Sequence, residues 1–201
     1  MKITRIETGI EQSGIWCGRV VVRVICSKDV NVVTNVNVVI EQIRKIRKNP
    51  RYVVIEGDVL IPDNRIDLFK LVQYLGSWYK TRGLEKVLIR CDGVADISNF
   101  LCNSLKSREH VVFELSYNRG FSKKNILENR FRVSDHIAFD VDNEMRLNDL
   151  FTFLQIISDD FEQRPICVIK IKDHSLYAAA CKIVNSWVAI NEIFDIRTIK
   201  I

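Results

Sequence analysis

Hydrophobic positions along the chain follow two alternating periods. Near-continuous apolar runs, YVVIEG, KVLIRC, HVVFEL, HIAFDV and ICVIKI, read as strands buried on both faces, and a last strand lies within EIFDIRTIKI. Between them the spacing lengthens to that of amphipathic helices. The first runs from Asn35 through Val36, Val39, Ile40, Ile43 and Ile46 and stops at Asn49-Pro50. Others are predicted over Ile66 to Tyr79, Ile97 to Leu105, Lys123 to Arg130, Met145 to Ile157 and Leu176 to Val188. Ahead of this alternation, KITRIE and RVVVRVIC flank a polar loop holding Gly9, Gly14 and Gly18, the pattern of a hairpin with a long connection.

Apolar strands alternating with helices predict a mostly parallel sheet covered by helices. Six strands lie in the alternating part, about seven if RVVVRVIC joins the same sheet, and 201 residues fall short of the roughly 250 that eight strand–helix units occupy. The expected fold class is therefore α/β: a partial, incomplete TIM-like barrel of six to seven mostly parallel strands with an N-terminal hairpin-like strand pair. No linker-like composition, low-complexity tract or repeat interrupts the pattern, so residues 1–201 are expected to form one domain.

Composition changes this picture little. With 47% hydrophobic residues the chain can bury a full core, and 30 Lys+Arg against 25 Asp+Glu leave +5, too mild a surplus to mark a nucleic-acid binder by itself. No apolar run approaches the roughly 20 residues that span a bilayer, and MKITRIETGIEQSG lacks the apolar core of a secretory signal. A cytoplasmic protein with no membrane association is expected. Cys17, Cys26, Cys91, Cys102, Cys167 and Cys181 lie at intervals of 9, 65, 11, 65 and 14 residues, none with the close spacing of a zinc or iron–sulfur loop. Most are expected to be small core residues.

The N-terminal run IETGIEQSGIWCGRVVVRVIC resembles the opening of 7-carboxy-7-deazaguanine synthase, a radical S-adenosylmethionine enzyme family of deazapurine biosynthesis. That family opens with a strand, a Gln-Gly-Glu-Gly substrate loop, a further Gly and a Val-Arg strand. Here Glu11-Gln12-Ser13-Gly14, Gly18 and Val22-Arg23 take those places, and the similarity continues at low identity through YVVIEGDVL, VLIRCDG and the later strands, over nearly the whole chain. The resemblance implies a compact incomplete barrel, a homodimer, and a ligand-binding set of Glu11, Gln12, Ser13, Gly14, Trp16 and Arg23.

The family's chemistry is missing. Its Cys-x3-Cys-x2-Cys loop supplies a [4Fe–4S] cluster, yet aligning Arg23 without gaps puts Ser27, Asn31 and Thr34 at those positions, and removing one residue puts Cys26, Val30 and Val33 there. Its Gly-Gly-Glu-Pro segment appears as Glu56-Gly57-Asp58-Val59, and its Glu-Thr-Asn-Gly segment as Arg90-Cys91-Asp92-Gly93, where a cation replaces an acid. A later Lys-containing strand end reads Glu114-Leu115-Ser116-Tyr117-Asn118-Arg119. Loss at four separate places predicts a catalytically inactive relative. It would hold no [4Fe–4S] cluster, bind no S-adenosylmethionine, and persist as a binding or subunit-like protein with a protein partner or a purine-like small molecule. Val30, Val32 and Val33 are expected to fill the vacated cluster site, with Ile15 or Trp16 beside them.

Three other readings follow from the residues alone. Asp58, Asp92, Glu114 and Asp140 stand at strand C-terminal ends, where ligands bind in such sheets, and Asp58, Asp92 and Glu114 with Glu56 and Gly57 outline a strand-end cavity. The acids could hold a divalent metal for an enzyme of another class, or start turns and cap helices. Arg44, Lys48 and Arg51 fall at i, i+4 and i+7 on the first helix and its exit, a face that either contacts RNA phosphates or is simply solvated. Trp78 and Trp187 are expected as core or interface anchors, and Trp16 as core, a stacking platform, or a cover over the vacated site. No nucleophile elbow or phosphate-binding glycine loop occurs, and His110, His136 and His174 are expected in ordinary structural or solvent roles.

Overall fold

A computed structural model describes residues 1–12, 16–92, 109–117, 135–160, 166–190 and 196–200. Eight strands run in sequence order across one sheet: β1 (Ile3–Ile10), β2 (Val20–Cys26), β3 (Tyr52–Gly57), β4 (Lys86–Asp92), β5 (Val111–Ser116), β6 (His136–Val141), β7 (Ile166–Ile171) and β8 (Ile196–Lys200). β1 pairs antiparallel with β2, and every later pairing is parallel. β1 and β8 are the two edges, so the barrel does not close. The strands are those predicted, within a residue or two at most ends. RVVVRVIC does join the sheet as β2, the first of seven parallel strands and the antiparallel partner of β1. The predicted helices Ile97 to Leu105 and Lys123 to Arg130 lie outside the described residues.

The helices are α1 (Val36–Ile46), α2 (Pro62–Thr81), α3 (Glu144–Asp160) and α4 (Tyr177–Ile190), the last preceded by a 3-10 turn, His174–Leu176. α1 starts where Asn35 accepts a hydrogen bond from the Asn37 amide, the expected side-chain cap. α2 begins at Pro62, whose missing N–H costs nothing in a first turn, and ends before Gly83, which takes the left-handed conformation (φ 73°) that stops a helix.

All four helices cover one face of the sheet. Their apolar stripes, including Val39 and Ile43, Leu71 and Trp78, Phe153 and Ile157, and Val184 and Trp187, join one core with Val24, Ile55, Ile89, Phe113, Phe139 and Ile169. These strand residues share one parity, so alternate residues must face the other, concave side. A separate small cluster of Trp16, Val21, Tyr52, Val54, Leu88 and Val112 contains no residue of the four α-helices and lies on that inner face. Trp78 and Trp187 are both buried within the monomer core, so they are not interface material. Among the described residues no helix is long and apolar enough to cross a membrane.

A charge ladder inside the sheet as the candidate functional site

Above the inner apolar layer the next inward positions are charged. The register places Glu56 on β3 beside Arg90 on β4, and pairs Arg90 with Glu114 on β5 and Glu114 with His136 on β6. Arg90 is the hub: its guanidinium donates to Glu114 (2.6 Å), Glu56 (2.6 Å) and Glu11 (3.4 Å). Glu11 comes from the loop after β1, is buried, and also meets Arg23 of β2 at 3.5 Å. On the far side Lys170 of β7 donates to Glu114 at 2.6 Å. On the intervening β6 the register places Asp140 beside Lys170, with the small Ala138 at the next position on the same face. Three acids and three bases thus form one ladder of alternating sign across the sheet.

Burial sets the energetics. Glu114 is fully buried, which alone would push its carboxyl up, but Arg90 and Lys170 outweigh that and hold it below the usual carboxylate range. Burial likewise opposes the charge on Arg90, and Glu114, Glu11 and Glu56 more than reverse the effect, keeping the guanidinium firmly protonated. The ladder is not perfectly satisfied: Glu114 Oε2 is buried with no hydrogen-bond partner among the described residues, a cost that the two short bonds on Oε1 must offset.

Comparison with protein-family models, curated proteins and solved structures returned no match. Function must be argued from the arrangement itself.

The structure brings some of the candidate residues together and disperses others. Glu11, Arg23, Glu56 and Glu114 meet in the ladder through Arg90. Gln12 is exposed and Trp16 is buried against Tyr52 (centroids 5.2 Å apart), at the end of the sheet where β2 and β3 begin. Ser13 and Gly14 lie outside the described residues. Asp58 does not join the acids: its carboxylate accepts the Lys28 amide at 2.8 Å and so closes the turn after β3. Asp92 ends β4, and Asp140 pairs with Lys172 instead of entering the ladder. Among the described residues no group of three or more His, Cys, Asp or Glu side chains is arranged to hold a metal ion.

The loop after β2 corrects an expectation. Val32 and Val33 are 71% and 57% exposed, and Val30 is half-buried, so they do not plug the interior. The reason is positional: backbone bonds from Ser27 to Lys2 and from Thr34 to Met1 tie this loop to the start of β1, and the inner face is already occupied by the ladder. Cys26 points to the helix-covered core, where burial pushes its thiol up to about 12. Cys91 and Cys167 are core thiols of the same kind.

The basic face of α1 is also split. Arg44 bonds Glu41 and the Tyr74 hydroxyl and lies over the Tyr74 and Trp78 rings, whereas Lys48 and Arg51 are exposed. Sequence reasoning singled out the acids at the strand ends but missed Lys170 as a partner. The available signal was a lysine at an inward position of a strand otherwise apolar, ICVIKI, where an unpaired ammonium would be prohibitively costly.

Proposed function

We propose that this protein is a catalytically inactive relative of 7-carboxy-7-deazaguanine synthase, a homodimeric, cytoplasmic binding or subunit-like protein without cluster or radical chemistry. What carries the reading is Arg90. It stands where the resembling family has an acid, and it fills the inner face between Glu11, Glu56 and Glu114 with a cation that pairs with all three, Arg23 and Lys170 completing the charge balance. A cofactor's charged groups bind where protein charges are left to receive them, and here those charges are already spent on one another. Cys26, the one thiol near the family's cluster loop, is directed into the apolar core with its proton firmly held, the opposite of a thiolate ligand. Against the alternative of a metal enzyme using Asp58, Asp92 and Glu114, Glu114 is bound to Arg90, as is the neighbouring Glu56, and Asp58 to a backbone amide.

Anaerobic reconstitution with iron and sulfide is the test. The expected product is colourless protein with no broad absorption near ~400 nm and no cleavage of S-adenosylmethionine under reduction. A stoichiometric cluster with cofactor cleavage would overturn the reading.

A further inference from the structure

The opposite end of the sheet is built differently. Where β3 and β4 begin, a hollow of about 990 Å³ is walled by Trp16, Tyr52 and Tyr79 and edged by Arg19, Arg51, Arg82 and Lys86. A second hollow of about 430 Å³ shares Arg19, Arg51 and Tyr52 with it and adds Arg47, so the two adjoin and are read as one groove. Among the described residues elsewhere, Arg23 and Arg90 are occupied in the ladder, Arg5 on Glu7, Arg44 on Glu41 and Arg146 on Asp149. In the groove Arg51 pairs with Glu85, but Arg19, Arg47 and Arg82 hold no carboxylate among the described residues. Arg19 and Arg82 are exposed, the first lying over the Tyr52 ring and the second over Trp78, which orients each guanidinium without neutralising it. Tyr79, stacked on His110 and 37% exposed, offers an aromatic ring beside these cations.

We propose that this groove binds single-stranded nucleic acid, gripping the phosphates with Arg19, Arg47, Arg82 and Lys86 and stacking a base on Tyr79. Cations spread over two adjoining hollows match a chain of phosphates better than one compact anion, and a ring among them distinguishes a nucleic acid from an acidic peptide. The surface differs from the α1 face read from sequence: Arg51 is common to both, Arg44 is engaged elsewhere, Arg47 joins from the end of α1, and Arg19, Arg82 and Lys86 come from the loop before β2, the turn after α2 and the start of β4.

Fluorescence anisotropy of a labelled RNA of about 12 nucleotides tests this on the full chain. Four phosphate contacts predict a roughly 50-fold loss of affinity between about 50 and about 200 mM salt. Arg19→Glu with Arg82→Glu should weaken binding at least about tenfold, whereas Lys28→Glu with Lys70→Glu, the same charge change on other exposed surfaces, should change it less than about twofold. Should the reversal pair fail to fold by circular dichroism, Arg19→Gln with Arg82→Gln reads the same loss by charge removal alone. No RNA binding at low salt, equal loss in both charge-reversal pairs, a duplex bound as tightly as the single strand, or a poly-glutamate peptide bound more tightly than RNA would each overturn the proposal.

Discussion

Ile89 and Arg90 are neighbours on β4 with opposite surroundings. Ile89 turns toward the helices and is fully buried among aliphatic and aromatic side chains, while Arg90 turns inward and meets three carboxylates. On the helix side any apolar residue of similar volume keeps the core intact, because dispersion and hydrophobic burial have no direction. On the inner side each charge depends on specific partners, and removing one leaves another desolvated and unpaired. One face tolerates substitution by degree; the other is a connected network that fails together.

The sharpest way to break this comparison is to truncate both neighbours. Ile89→Ala should cost about 2–5 kcal/mol, the transfer loss plus a cavity. Arg90→Ala should cost at least as much, about 3–5 kcal/mol, since it strands Glu114 and Glu11 without their main cation. The pH dependence separates the mechanisms. Glu114 titrates lower in the folded than in the unfolded chain, so its contribution is fully present above the unfolded carboxylate value of about 4.3 and is lost as pH falls through the lower folded value. Wild type and Ile89→Ala should share that acid-side loss in urea titrations, and Arg90→Ala should show it diminished. An Arg90→Ala protein with unaltered acid sensitivity would mean the ladder contributes nothing specific.

This difference also explains what the sequence made legible. The outward face announces itself, because Val22, Val24, Ile55, Ile89 and Phe113 recur at strand spacing and strands such as YVVIEG and HIAFDV are located to the residue. The inner face carries charges whose meaning depends on partners 24, 34 and 79 residues away from Arg90, and no local period encodes such pairings. Asp58 and Glu114 look equivalent as strand-end acids, yet one closes a turn on Lys28 and the other is sunk between two cations. The basic groove was hidden for the same reason, being assembled from residues on either side of β2, β3 and β4.

Gly57 sharpens the comparison at the point where the two faces meet the turn. It ends β3 with φ 88°, a conformation that side chains resist, and a Cβ there would fall 2.1 Å from the Cys26 carbonyl oxygen. Gly57→Ala must therefore twist the backbone and push β2 and β3 apart, at a cost of about 2–4 kcal/mol. Because Glu56 precedes it, the shift should also loosen the bond to Arg90. A double-mutant cycle of Gly57→Ala with Glu56→Gln is expected to be non-additive, and simple additivity would show that the turn and the ladder are independent.

The smallest effect gives the cleanest contrast between buried and exposed charge. Lys170 and Lys172 lie two residues apart, the first within β7 and the second just after it, and each holds a carboxylate at 2.6 Å, Glu114 and Asp140 respectively. Distance alone makes the pairs equivalent. Lys170 is 7% exposed and its partner not at all, whereas Lys172 is 50% and Asp140 35% exposed, so water and salt screen the second pair. Lys172→Ala should change stability by less than about 1 kcal/mol and less still at high salt, while Lys170→Ala should cost about 3–5 kcal/mol with little salt dependence. Chemical denaturation of both variants at two ionic strengths measures this directly. If the two lysines prove equally dispensable, the ladder is a crowd of surface-like pairs, and the inner face would be free to bind something else.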